Sequence, residues 1–193
     1  MKIKKLLFAS ALLFSAYNAS AQTQVIAHRG FWKTEGSAQN SIAALLKADS
    51  IGCYGSAFDV WLAADDQLVV NHDPTFKGKR MENSPSTALT AIKLDNGESL
   101  PTLAKYLKAA QPLHTRLILE LKAHSTPLRE TKAIEKIVAL VKDMGLEERM
   151  EYITFSLHAT KEFIRLAPEG TPVYYLDGNL SPKELKELGC AGP

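Results

Sequence analysis

The sequence predicts an α/β fold built on a mainly parallel sheet. Short β-rich runs alternate with segments of helical periodicity along most of the 193 residues, as βα units of a parallel sheet do. Hydrophobic residues make up 46% of the chain, which is enough apolar side chain for one sizeable core. The alternation fits both an open doubly wound sheet and a (β/α)₈ barrel. Polar residues at the carboxyl ends of several runs, such as His28, His72 and Ser156, favour the barrel.

Six strands are expected from runs rich in branched and aromatic residues. They cover residues 24–28, 57–62, 67–72, 116–122, 152–156 and 172–176.

Five helices are expected between the strands, and several carry terminal signals. Pro101 is well placed at a helix start, Gly145 ends the longest helix, and Ser181 with Pro182 opens the last one before Gly189. Residues 74–100 hold many Pro, Gly, Asn and Ser residues and are expected to form an irregular insert. The predicted helices are 40–52, 102–111, 127–145, 159–167 and 181–189.

The N-terminus has the pattern of a secretory signal peptide. A Lys-rich start precedes a short apolar run and the small residues Ala19 and Ala21, so residues 1–21 are expected to be cleaved before Gln22. The apolar run is too short to span a bilayer, so no stable membrane anchor is expected. The domain of residues 22–193 is therefore predicted to be periplasmic or secreted.

Composition argues against a nucleic-acid partner and a disulfide framework. The formal net charge is +2, and Lys and Arg form no long basic block. The two cysteines are Cys53 and Cys190, and Cys53 is expected to be a buried small hydrophobe. The oligomeric state stays open.

Four segments in order carry a specific resemblance. They are "AHRGFW…AQNS" at 27–41, "FDVWLAADDQLVVNHDP" at 58–74, "LPTL" at 100–103 and "LELK" at 119–122. Together they resemble the glycerophosphodiester phosphodiesterase family. The resemblance implies a (β/α)₈ TIM barrel of the phosphatidylinositol-phosphodiesterase-like type, here with about six of eight strands. It also implies hydrolysis of a small glycerophosphodiester to an alcohol and glycerol 3-phosphate.

The same resemblance implies roles for six residues. His28 and His72 would carry the acid–base work, Arg29 and Lys122 would bind the phosphate, and Asp59 and Glu120 would hold Ca²⁺ or Mg²⁺. These residue types suit the chemistry, because imidazoles exchange protons near neutral pH and carboxylates select hard cations.

Each of these residues also has an ordinary interpretation. Asp59 alone would be a turn cap, and Glu120 with Lys122 would be a simple ion pair, since positions i and i+2 share a strand face. His114, His124 and His158 match no motif and are expected to be surface or loop histidines. Phe31 and Trp32 would line the mouth of the site or belong to the core.

Three departures from the family pattern stand out. Ala57 takes the place of the first acid of an E-x-D pair, which removes one metal ligand and predicts weak metal binding. Gln39 stands where the family often carries an acid. The chain stops where a seventh strand is expected, which predicts a fragment of a longer protein. An enzyme and a non-catalytic phosphodiester-binding member of the fold therefore both remain, with Ala57 favouring the binder and the two histidines favouring the enzyme.

Overall fold

The computed structural model describes residues 23–192, and its main feature is one six-stranded sheet. The predicted signal peptide, 1–21, lies outside the described residues. The strands are β1 (Ile26–His28), β2 (Gly55–Leu62), β3 (Leu68–Val70), β4 (Thr75–Phe76), β5 (Lys79–Arg80), β6 (Arg116–Leu121), β7 (Met150–Thr154) and β8 (Val173–Tyr175). The helices are α1 (Ile42–Ser50), α2 (Ser86–Thr90), α3 (Leu103–Ala110), α4 (Pro127–Asp143), α5 (Leu157–Leu166) and α6 (Pro182–Leu188), with 3₁₀ turns at Met81–Asn83 and Glu147–Arg149.

Five strands of the sheet run parallel in the order β1-β2-β6-β7-β8. The sixth, β3, pairs antiparallel with the end of β2, so the sheet is mainly parallel, as predicted, with 67–72 as its antiparallel strand. Only five residues, 63–67, separate β2 from β3. A connection that short closes a hairpin, because a parallel crossover needs a dozen or more residues.

The main core lies between the sheet and the helices. Side chains of β2 alternate, so that Phe58 and Val60 face the helices while Ala57 and Asp59 line a cavity on the opposite face. The Phe58 ring lies 4.5 Å from that of Tyr106 on α3, measured between centroids. The same alternation in β6 places Leu119 in the core and Glu120 on the cavity.

The insert of residues 74–100 is more regular than expected. It contains the β4–β5 hairpin, a 3₁₀ turn and α2. It has a small apolar core of its own, in which Met81, Leu89 and Leu100 pack against Trp61 and Val69 of the β2–β3 hairpin. The insert is therefore fixed to the strand that carries Asp59.

The helix ends follow the predicted signals. Ser181 and Glu184 form a capping box at the start of α6, and Gly189 ends it with a φ of 93°. The side chain of Ser156, predicted to end a strand, instead caps α5 by accepting a hydrogen bond from the Ala159 amide. Among residues 23–192, no helix is long and apolar enough to cross a membrane.

Candidate active site

The two predicted catalytic histidines reach the site along one edge of β2. The parallel partner β1 covers Gly55 to Ala57 and ends at His28. The antiparallel partner β3 covers Val60 to Leu62 on its way back towards His72. The Asn71 amide then donates a 3.0 Å hydrogen bond to the Asp59 carbonyl. His28 and His72 therefore approach the middle of β2 from opposite directions.

All six predicted site residues line one cavity of about 390 Å³ at the carboxyl ends of the parallel strands. This confirms that His28, Asp59, His72 and Glu120 converge. The lining consists of His28, Arg29, Ala57, Phe58, Asp59, His72, Glu120, Lys122, Ile153, Phe155 and Leu176.

An ammonium group joins the two predicted metal ligands. The Lys122 Nζ lies 2.6 Å from Glu120 Oε1 and 3.3 Å from Asp59 Oδ1. Asp59 and Glu120 are opposite one another in the β2–β6 register and are both buried. Burial raises the pKa of Glu120 above its ordinary value, although the Lys122 ammonium opposes that shift. The predicted ion pair is thus one part of a three-residue cluster.

Asn40 supports this cluster from the loop after β1. Its Nδ2 donates to Asp59 Oδ2 at 2.9 Å, and its Oδ1 accepts from the Asp59 amide at 3.2 Å. The sequence gives no local sign of this contact, because the two residues are nineteen positions apart. Asn40 does lie in the "AQNS" segment of the family resemblance. That membership is the one feature of the sequence that could have marked Asn40 as a site residue.

The cluster offers a divalent cation two carboxylates. Ala57, on the same strand face as Asp59, contributes only a methyl group to the cavity. Within residues 23–192, no group of three or more His, Cys, Asp or Glu side chains is arranged to hold a metal. Mg²⁺ is commonly held through one or two carboxylates with water and substrate oxygens, so the residues fit a weakly held cation of that kind.

Arg29 sits in a tight turn between β1 and α1. Its φ is 63°, and the next residue, Gly30, has a φ of 77°. A Cβ on Gly30 would lie 2.6 Å from the Ala44 Cβ, so the turn can approach α1 only because this residue is glycine. The Arg29 Nη1 donates to Gln39 Oε1 at 2.5 Å, while its buried Nε has no partner among the described residues. Gln39 therefore holds the guanidinium where the family often carries an acid.

The histidines differ in their surroundings. His72 Nδ1 lies 2.7 Å from Asp73 Oδ1, and the Trp61 Nε1 donates to the His72 carbonyl at 3.3 Å. Burial, assisted by the neighbouring Arg29 charge, lowers the pKa of His28 below its ordinary value of 6.5. His28 therefore loses its proton at a lower pH than a free imidazole would.

His124 has a structural position that its sequence context did not reveal. It lies in a loop as expected, but its Nε2 accepts from the Leu62 amide at 2.9 Å and its Nδ1 lies 2.6 Å from the Lys122 carbonyl. Its ring also lies 5.3 Å from that of Trp61. His124 thus links the end of β2 to the residue that bridges the carboxylates.

The fold and the cavity are typical of α/β-barrel enzymes, in which the catalytic groups lie at the carboxyl ends of the parallel strands. Here those groups are imidazoles and basic side chains. The chain is similar to the crystal structure of a glycerophosphodiester phosphodiesterase from Parabacteroides distasonis. The two are 55% identical, with a TM-score of 0.84, over 86% of this chain and 70% of that one. The chain belongs to the glycerophosphodiester phosphodiesterase family, and its fold is of the TIM-barrel type.

Two further comparisons agree. A curated glycerophosphodiester phosphodiesterase from Caldanaerobacter subterraneus subsp. tengcongensis is 29% identical over 161 residues, and this chain spans 64% of its length. The structure of an Oleispira antarctica phosphodiesterase in complex with the product sn-glycerol-3-phosphate is 26% identical, with a TM-score of 0.74 over 88% of this chain. No family model matches the chain.

Proposed function

We propose that this chain provides the active site for hydrolysis of small glycerophosphodiesters to an alcohol and glycerol 3-phosphate. The observation that carries the proposal is the arrival of His28 and His72 at one cavity beside the Lys122 ammonium. The family membership and the product bound to the Oleispira antarctica relative support the same substrate class.

The two imidazoles divide the proton transfers. One takes a proton from the attacking water as its oxygen bonds to phosphorus, and the other gives a proton to the alcohol oxygen as its bond to phosphorus breaks. The contact of His72 Nδ1 with Asp73 leaves Nε2 as the nitrogen available for this exchange. Arg29 and Lys122 contribute positive charge for the phosphate oxygens.

Asp59 and Glu120 would hold the proposed Ca²⁺ or Mg²⁺. The cation would add positive charge beside the phosphate, and with Ala57 in place of a third carboxylate its binding would be weak. Asn40 keeps the Asp59 carboxylate in place through its 2.9 Å bond.

Hydrolysis is favoured over a purely binding role. Ala57 is the feature that supports a binder, but a binder does not need two imidazoles at the phosphate cavity. Periplasmic or secreted action is proposed from the N-terminal signal pattern alone.

The test is release of glycerol 3-phosphate from glycerophosphocholine by the natural chain and by His28→Ala, His72→Ala and the double variant. Each single change should lower turnover by ~10²–10⁴, the range for a positioned proton-transfer group. The double variant should be little worse than either single one, because groups that act as a unit are non-additive. His114→Ala is the matched control, since His114 is exposed and outside the cavity. Full activity of His72→Ala would refute the two-histidine mechanism.

A further inference from the structure

Two aromatic side chains outside the active-site cavity pack against each other. Trp61, near the end of β2, is buried, and its ring centroid lies 5.3 Å from that of His124 in the loop after β6. Neither is among the described residues that line the cavity. Each bonds to the backbone of a residue that does. The Trp61 Nε1 donates to the His72 carbonyl at 3.3 Å, and the His124 Nδ1 lies 2.6 Å from the Lys122 carbonyl.

We propose that Trp61 and His124 are positioning residues for the reaction, with Trp61 acting through His72 and His124 acting through Lys122. The inference rests on the proposed function, in which His72 transfers a proton and Lys122 binds the phosphate. Both tasks need a fixed geometry, because a misplacement of about 1 Å can cost about a hundredfold in rate.

The backbone partners of His124 determine the form of its ring. An amide N–H can only donate, so the Nε2 that lies 2.9 Å from the Leu62 amide carries no proton. A carbonyl can only accept, so the Nδ1 that faces Lys122 carries one. His124 is therefore neutral and protonated on Nδ1. Burial lowers the pKa of His124 below its ordinary value of 6.5, which favours this neutral form.

Lys122 is thereby held at both its backbone and its side chain. Its amide donates to the Val60 carbonyl at 3.1 Å, and its carbonyl accepts from His124. Its ammonium is bonded to the two carboxylates of the cavity. Removing the His124 bond frees only the Lys122 carbonyl, so the effect on phosphate binding should be moderate.

The first experiment measures kcat and KM for glycerophosphocholine in Trp61→Phe and His124→Phe. Both variants keep an aromatic ring and lose the N–H donor. Trp61→Phe should lower kcat by about tenfold with little change in KM, because His72 acts in proton transfer. His124→Phe should raise KM by about three- to tenfold, because Lys122 binds the phosphate and one hydrogen bond that fixes it is lost.

His158→Phe is the matched control. His158 is also a half-buried histidine, but it lies on α5, where its Nε2 is 2.9 Å from Thr131 Oγ1, and it is outside the cavity. It should change neither kcat nor KM. An unchanged kcat in Trp61→Phe would overturn the role of Trp61, and an unchanged KM in His124→Phe would overturn that of His124.

His124→Asn separates positioning from a loss of stability. Like His124→Phe, it leaves the Leu62 amide without its acceptor, so both variants should have a lowered melting temperature. The asparagine Nδ2, however, takes the place of the histidine Nδ1 and can donate to the Lys122 carbonyl. His124→Asn should therefore return KM close to its natural value. An equal rise of KM in both variants would refute positioning through Lys122.

A binding measurement makes the test independent of turnover. Calorimetric titration with glycerol 3-phosphate should give a Kd about three- to tenfold higher for His124→Phe than for the natural chain, His124→Asn or Trp61→Phe. This pattern without hydrolysis of any diester would refute the proposed function and retain His124 as a positioning residue. Hydrolysis by the natural chain, with unaltered kinetics and binding in the variants, would retain the function and refute the inference.

Discussion

Individual side chains set the charge balance of the cavity. The Asp59 and Glu120 carboxylates face the Lys122 ammonium and the Arg29 guanidinium there, and the position two residues before Asp59 on the same strand face is Ala57. A glutamate at that position would reach the same space as Asp59. It would supply a third oxygen ligand and a further negative charge for a cation.

Ala57→Glu is therefore expected to strengthen Ca²⁺ binding markedly over the weak binding proposed for the natural chain, because hard cations gain affinity with ligand charge and number. Calorimetric titration measures the change, and adding Glu120→Ala should abolish the gain. Ala91→Glu, at an exposed position after α2, adds the same charge away from the site and should have no effect. Tight Ca²⁺ binding by the natural chain would show that two carboxylates suffice.

Contacts between near neighbours were predictable from the sequence, and contacts between distant residues were not. The Lys122–Glu120 pair follows from the two-residue repeat of a strand. The bonds from Asn40 to Asp59 and from His124 to Leu62 depend on how loops close in three dimensions. No local pattern encodes them.

At the scale of elements, the insert stabilises the helix next to the site. Glu98 accepts hydrogen bonds from the Ile42 and Ala43 amides at 3.0 Å each, while Ser41 caps Ala44. The exposed amides of a helix start are thus satisfied by a carboxylate that comes from the insert. The same helix follows directly on Asn40, so the insert also steadies the loop that holds Asp59.

Glu98→Ala should lower the free energy of unfolding by about 1–3 kcal/mol, the cost of leaving such amide donors without partners. Chemical denaturation measures this change. Glu187→Ala is the control, since Glu187 forms an exposed pair with Lys183 at 3.8 Å and should change stability by less than about 0.5 kcal/mol. An equal, small effect of both changes would mean that solvent replaces the Glu98 contacts without loss.

The direction of β3 is a feature that the sequence pattern left open. Its apolar run looks the same in a parallel or an antiparallel strand, so periodicity identified a strand and left its direction open. The 63–67 connection indicates the direction, because five residues are too few for a parallel crossover. The last helix was predicted well because Ser181 caps its start through a side-chain oxygen and Gly189 ends it, whereas the five-residue α2 was not predicted.

For the whole molecule, several ionised carboxylates join segments that are distant in sequence. Asp49 on α1 accepts from the His114 and Thr115 amides before β6, and Glu82 of the insert accepts from the Ser125 amide. Burial opposes ionisation in both carboxyls. The bonds to amides outweigh it and hold the pKa of each below its ordinary value.

Acid should therefore destabilise the fold. A carboxyl whose pKa is lowered by folding stabilises the folded state above its unfolded pKa, 3.8 for Asp49 and 4.5 for Glu82. That contribution is lost as the pH falls through the lower folded pKa. The melting temperature should fall as the pH drops below about 4.5, each kcal/mol corresponding to about 2–4 °C in a chain of this size.

Asp49→Asn tests the cause by differential scanning calorimetry. It should lower the melting temperature at pH 7 and flatten its dependence on acid, because the variant has no carboxyl to protonate at that position. Asp143→Asn, at the exposed end of α4, should leave the pH dependence unchanged. An unaltered acid slope in Asp49→Asn would remove this carboxylate from the explanation.

The bridging position of Lys122 also determines how many bonds it can offer an incoming anion. An ammonium has three N–H donors, and here Glu120 and Asp59 accept two of them. One donor remains for a phosphate oxygen, so an anion can be bound without breaking either carboxylate contact. Lys122 can therefore donate to a carboxylate on β2, a carboxylate on β6 and the ligand at the same time.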